Sequence, residues 1–259
     1  MKDYGFIRVA AARPLTKPAD VEGNVQSICG LIDRAAEKKV SLLAFPELSV
    51  TGYTCGDLFG QELLIREAEN GVKKIVEASR GKEMTIAVGV PVKVRDRLYN
   101  CAAVIRNGNV KGLVPKIHLP SYNEFYEARW FSSGADFLSH GSKGDGHFVF
   151  NGKDTVREGF GMETRYAGQR CMVSPNQLFS IGNVIFGVEI CEDLWTPIPP
   201  SSWLALAGAG IIVNLSASNE VLMKHEYRKG LISQQSARTV SGYVYCSSGY
   251  GESTQDTVH

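Results

Sequence analysis

The chain has 259 residues, 44% of them apolar, which is enough to bury a substantial core in one α/β domain. Its 28 Lys and Arg against 27 Asp and Glu leave a formal charge of +1, so no long-range field points to nucleic acid or an anionic membrane surface; a small neutral or zwitterionic substrate fits better. No stretch has the length of a membrane span, the first residues lack the apolar core of a secretory leader, and six scattered cysteines form no C-x-x-C pair, so a reduced, cytoplasmic protein without a zinc knuckle is expected.

Short β-branched runs alternate with segments of helical period, the pattern of an α/β chain. Residues 6–11 read as the first strand, and Val21, Val25, Ile28 and Ile32 then fall on one helical face. Leu42-Leu43-Ala44-Phe45 is the next strand, ending at Pro46-Glu47. Residues 62–79 have helical spacing, and residues 85–90 and 101–105 read as strands. Arg106-Asn107-Gly108-Asn109 is a turn signal that folds the last of these back into a hairpin with the run from Val110. Residues 184–188 and 211–215 are nearly continuous apolar runs, as in strands covered on both faces. A helix over residues 224–240 and a strand at Tyr243-Val244-Tyr245-Cys246 close the pattern. Residues 139–175 break it with seven glycines, mixed charge and little period, and read as an insertion. There is no internal repeat.

Glu47, Lys116 and Cys191 each stand at or just past the end of an apolar strand, where loops of an α/β fold converge over a crevice. Singly, each has an ordinary reading: a packed thiol, a solvated carboxylate, a solvated amine. Together they supply a nucleophile, a base and a fixed cation for an oxyanion.

The blocks Phe45-Pro46-Glu47-Leu48, Pro115-Lys116-Ile117-His118-Leu119-Pro120 and Val188-Glu189-Ile190-Cys191-Glu192-Asp193-Leu194-Trp195 resemble the three ordered signatures of the carbon-nitrogen hydrolase (nitrilase) superfamily. Residues 119–131, Asn214-Leu215-Ser216-Ala217-Ser218 and the stretch 249–256 are similar to one branch, the glutaminase domains of glutamine-dependent NAD synthetases. The resemblance implies a four-layer αββα sandwich. It implies Cys191 as nucleophile on the carboxamide of L-glutamine, Glu47 as base and Lys116 as oxyanion donor, with Glu127 a second carboxylate orienting Lys116. Tyr122, Ser218 and Lys224 would contact glutamine, and Tyr53, Phe125 and Glu192 would line the pocket. Where that branch often carries Arg, this chain has Lys224, a point charge in place of a bidentate fork. His118 invites a Cys/His pairing but reads as a packing residue, because Glu47 already fills the role of base.

The resemblance further implies no metal or cofactor for the amidase, a homo-oligomer, and a partner synthetase domain in the same longer polypeptide that uses ATP and magnesium. That domain is expected to lie outside this chain, which has no Ser-Gly-Gly-x-Asp-Ser loop; Ser132-Ser133-Gly134-Ala135-Asp136-Phe137 comes nearest, with one glycine and no final Ser. A free-standing amidase or carbamoylase acting on another small amide, a non-catalytic domain of the same fold and a thiol redox protein are the competing readings.

Overall fold

The computed structural model describes residues 5–138, 148–149, 161–254 and 257–259. In chain order the elements are β1 (Val9–Ala11), α1 (Val21–Glu37), β2 (Leu42–Ala44), α2 (Glu62–Ala78), β3 (Thr85–Val94), β4 (Arg97–Arg106), β5 (Asn109–Pro115) and β6 (Phe148–Val149). There follow β7 (Met162–Tyr166), β8 (Gln169–Val173), β9 (Gln177–Ile181), β10 (Val184–Ile190), α3 (Pro200–Leu206), β11 (Ile211–Ser216), α4 (Lys224–Thr239) and β12 (Gly242–Ser247).

The strands form two sheets, a seven-stranded one in the order β1-β2-β3-β4-β5-β8-β7 and a five-stranded one in the order β12-β11-β10-β9-β6. Alternation along β3 explains the layering. Ile86, Val88 and Val90 point into the core under α1 and α2, while Ala87 points to the second sheet. The same helix-side core takes Val21, Val25, Ile28 and Ile32 of α1 and Ala68, Val72 and Ile75 of α2. Leu42, Ala44, Ala102, Val104 and Val114 meet Phe179, Phe186, Val188, Ile190, Val213 and Leu215 between the sheets. On the far side, Leu204 of α3 packs with Leu178 and Ile212, and α4 lies against β12. The result is the expected αββα sandwich.

The expected hairpin forms: β4 and β5 pair antiparallel, with Asn107 and Gly108 both at positive φ as a two-residue turn demands. Because β3–β4 is also an antiparallel hairpin, β5 runs parallel to β3 and to β2, so β2 and β5 deliver the residues after them to the same edge.

Three expectations are revised. The first strand is shorter than residues 6–11: Phe6 is exposed and β1 begins at Val9. The final helix ends at Thr239, because Val240 turns left-handed and caps it. Within residues 139–175, positions 139–147 and 150–160 lie outside the described residues, but the rest is not irregular. β7 and β8 form a hairpin through Ala167-Gly168, both at positive φ, and β8 joins the seven-stranded sheet beside β5. Met162 to Tyr166 alternates between exposed and more buried positions, a strand signal that the neighbouring glycines obscured.

Candidate active site

The loop after β2 crosses directly over β3, where Gly89 O accepts from Val50 N–H and Leu48 takes a positive φ of 49°. This turn aims Glu47 inward. Its Oε2 accepts from Ala217 N–H at 2.9 Å, just past β11, and its Oε1 accepts from Asn100 Nδ2 at 2.7 Å on β4. Lys116 follows β5, where its own N–H is tied to Asn100 O, and its ammonium donates to Glu47 Oε1 at 2.6 Å and to Glu127 Oε1 at 2.5 Å. Glu127 also accepts from Tyr53 OH at 2.8 Å. Glu47, Lys116 and Glu127 are each no more than 1% exposed, so these are desolvated ion pairs rather than surface bridges.

Cys191 begins the short helical turn after β10 in a left-handed conformation, φ 45°. A β-carbon is costly there, and the conformation persists only because its surroundings hold it. One holder is Asn214 Oδ1, which accepts from Cys191 N–H at 3.2 Å and is itself fixed by Ser216 Oγ at 2.7 Å.

The electrostatics follow from burial and charge. Burial alone draws Lys116 downward, but Glu127 and Glu47 outweigh it and hold the ammonium well above the usual lysine range. Burial raises the Glu127 carboxyl, with Lys116 opposing. Burial, then Glu47, pushes the Cys191 thiol up, while Lys116 pulls it down; the resting thiol is therefore protonated near neutrality, beside a carboxylate and a cation. A protonated thiol, a carboxylate acceptor and a fixed ammonium together can run general-base-assisted attack on a carbonyl carbon.

The residues assigned to substrate by resemblance surround this group unevenly. Phe125 packs edge-on against Tyr53 and Tyr122. Tyr122, about half exposed, donates to both oxygens of Glu192 at 3.0 and 3.1 Å. Lys224 Nζ stands over the faces of Trp195 and Phe125, 5.2 and 5.8 Å from their centroids, and donates to Asn219 Oδ1. Burial lowers Lys224 and raises Glu192. Ser218 is buried and its Oγ accepts from Arg228 at 3.2 Å. Tyr53, expected to line the pocket, packs against Phe125 and donates its hydroxyl to Glu127. His118 is half-buried, and its backbone N–H donates to Asp193.

Sequence reasoning did not single out Asn100, Asn214, Trp195 or Arg228. Asn100 left one usable signal, an amide inside the apolar run that pairs with the strand leading to Lys116.

Residues 8–256 match the carbon-nitrogen hydrolase family, and the chain belongs to that family as a carbon-nitrogen hydrolase of nitrilase fold. Its relatives narrow the kinship further. Over 252 residues it is 36% identical to the glutamine-dependent NAD(+) synthetase of Mycobacterium leprae, covering 97% of this chain and 34% of that protein. The glutamine-dependent NAD(+) synthetase of Thermotoga maritima is 29% identical over 241 residues, 93% of this chain and 35% of that protein. Among solved structures, a glutamine-dependent NAD(+) synthetase from Cytophaga hutchinsonii superposes with a TM-score of 0.74 at 27% identity, over 94% of this chain and 36% of that one. An amidase from Nesterenkonia sp. superposes with a TM-score of 0.70 at 15% identity, over 97% and 79% of the two chains, a likeness of fold alone. The chain spans about a third of the length of the curated relatives it matches.

Proposed function

We propose that this chain is a glutamine amidase, hydrolysing L-glutamine to glutamate and ammonia through a thioester on Cys191. The observation that carries the reading is the buried Glu47–Lys116–Glu127 cluster beside a cysteine held at positive φ. Glu47 takes the thiol proton as Sγ attacks the carboxamide carbon. Lys116 Nζ, fixed by Glu127, holds the tetrahedral oxyanion. Glu47 then returns the proton to the leaving nitrogen, which departs as ammonia. A water, deprotonated by Glu47, cleaves the thioester to glutamate and restores the thiol.

Support for glutamine over a plain amide comes from the opposed charges at the mouth. Glu192 with Tyr122 suits an α-ammonium, and Lys224 with Asn219 and Ser218 suits an α-carboxylate. The relatives named above support a larger role. The ammonia would serve ATP- and magnesium-dependent amidation of deamido-NAD to NAD in a synthetase domain of the same longer polypeptide, in the cytoplasm. The amidase step itself would need neither metal nor cofactor. Exposed Trp203 and Leu206 on α3 and Tyr227 on α4 favour self-association into a homo-oligomer.

The test is ammonia release by the chain from glutamine against a panel of ω-amides and carbamoyl compounds. Preference for glutamine, abolished in Cys191→Ala, is expected. Equal rates on all amides would assign a general amidase or carbamoylase instead.

A further inference from the structure

One buried carboxylate touches the backbone on both sides of the catalytic pair. Asp193 is 2% exposed and lies in the turn that Cys191 opens. Its Oδ1 accepts from Ile117 N–H at 3.2 Å and His118 N–H at 2.8 Å, the two residues directly after Lys116. Its Oδ2 accepts from Ile190 N–H at 3.0 Å, the residue directly before Cys191. The two segments come from different sheets: Lys116 leaves β5 of the seven-stranded sheet and Cys191 leaves β10 of the five-stranded one. Apolar packing joins those sheets, and hydrogen bonds such as Ala217 N–H to Glu47 Oε2 at 2.9 Å cross between them; the Asp193 bonds tie together the very segments that carry Lys116 and Cys191.

We infer that Asp193 is a positioning residue that locks the Lys116 loop to the Cys191 turn and so sets the distance between ammonium and sulfur. The inference rests on the reading of Cys191 as nucleophile and Lys116 as its cation. Three N–H donors converge on the two oxygens, both of which accept, an arrangement an amide cannot reproduce because one of its two positions is an NH2. Burial pushes the Asp193 carboxyl up to about 8, while the bonds from His118 and Ile190 pull the other way. Among the charged groups around it, Glu189 pushes it up and Lys116 pulls it down. Among the described residues, the hydrogen bonds to its side chain all come from backbone N–H groups. The side chain acts through Lys116 and Cys191 and touches no reacting atom.

Asp193→Asn is the test, because it keeps size and shape while replacing one acceptor by an NH2 that opposes an N–H. Alkylation of Cys191 by iodoacetamide, read by peptide mass spectrometry from pH 6 to 10, needs no substrate and so reports on the inference even if glutamine is not the substrate. Glutamine turnover by the parent chain reads the functional proposal separately. With Lys116 displaced from the sulfur, the Cys191 alkylation rate at each pH of that range is expected to fall about threefold or more, as for a thiol whose ionisation has moved up by half a pH unit. Where glutamine is turned over, kcat should fall about tenfold or more with KM within about threefold, the mark of a group lost from the transition state alone. The far-UV spectrum and the reactivity of Cys29, which lies on α1 away from the site, are expected to stay parental. A parental Cys191 profile overturns the inference. So does a rise in reactivity shared by the buried Cys101, Cys171 and Cys191 with a large drop in Tm, since that marks a purely structural role. Asp193→Glu, which keeps the charge on a longer arm, is the second variant should the Asn variant not fold. The same selective change at Cys191 is expected there, and parental behaviour overturns the inference again.

Discussion

Gly89 lies directly beneath Glu47: a β-carbon built on Gly89 would stand 2.6 Å from the Glu47 carbonyl carbon and 2.2 Å from Leu48 N. No side-chain rotation relieves that contact, because the atoms it meets are backbone. The glycine on β3 is therefore what allows the loop after β2 to lie flat and aim the Glu47 carboxylate at Lys116. Gly89→Ala should lift the loop. The expected result is a loss of about 1–3 kcal/mol of stability, as for other overpacked sites, and about a 100-fold fall in amidase turnover from misplacement of the base. Thermal melts and ammonia release read the two effects, and parental turnover would show that Glu47 tolerates the shift.

Much of this arrangement was legible in the sequence, because the apolar runs that became β2, β5 and β10 end where Glu47, Lys116 and Cys191 begin. The mutual approach of these residues was carried by resemblance, since a linear pattern gives no pairing between chains of residues 69 positions apart. The remaining anchors depend on cross-strand register. Asn100 reaches Glu47 only because β4 pairs with both β3 and β5, and Ala217 N–H meets the same carboxylate only where the two sheets converge. The short helix α3, with two serines in seven residues, offered no periodic stripe to read.

Glu127→Gln should separate thiol ionisation from catalysis. Behind burial and Glu47, Glu127 is one of the groups that raise the Cys191 thiol, so neutralising it lowers the pH at which the thiol ionises and speeds alkylation below that pH. The same change weakens one of the two carboxylate anchors on Lys116. Turnover is accordingly expected to fall while Cys191 becomes more reactive toward iodoacetamide. If both rise together, Glu127 does not orient Lys116.

Lys116→Met removes the single cation from between two buried carboxylates. An uncompensated buried charge is worth about 3–5 kcal/mol in stability, so a marked fall in Tm is expected together with loss of turnover. Lys116→Arg retains charge, but the planar fork cannot occupy the point where the ammonium meets both Glu47 and Glu127. Near-parental turnover in the Arg variant would make Lys116 peripheral to the chemistry.

Cys191→Ser tests the nucleophile with the least disturbance of packing. The side chain is buried beside Ile190 and Leu215 in the layer between the sheets, and the swap changes one atom. The left-handed turn should survive, because its hydrogen bond to Asn214 comes from the Cys191 backbone. Parental Tm with no detectable γ-glutamyl adduct on the protein after incubation with glutamine is expected, with intact-mass spectrometry as the readout. A covalent adduct that still forms in the Ser variant at parental speed would move the nucleophile elsewhere.

Lys224→Ala tests whether glutamine's carboxylate is read at the pocket mouth. The ammonium is half-buried between the faces of Trp195 and Phe125, with Asn219 as its hydrogen-bond acceptor, so aromatic faces steady a side chain that would otherwise sweep freely. It stands apart from the Glu47–Lys116–Glu127 cluster, whose ion pairs are complete without it. Removing it should weaken binding of the substrate's α-carboxylate without touching bond breaking. A charged hydrogen bond of this kind is worth about 1.5–3 kcal/mol, which converts to a rise in KM of about 10- to 150-fold. kcat is expected to stay within about threefold, because uniform binding is lost from ground and transition states alike. Buried Arg228 does not substitute for it, since its guanidinium is already committed to Ser218 and Glu220. Lys224→Arg, which restores charge with a bidentate fork, should recover most of the lost affinity. The discriminating comparison uses glutamine against an ω-amide lacking the α-carboxylate. Lys224→Ala should penalise glutamine and leave the truncated amide unchanged. An equal penalty on both would show that Lys224 supports the pocket wall and that the carboxylate is held by another group.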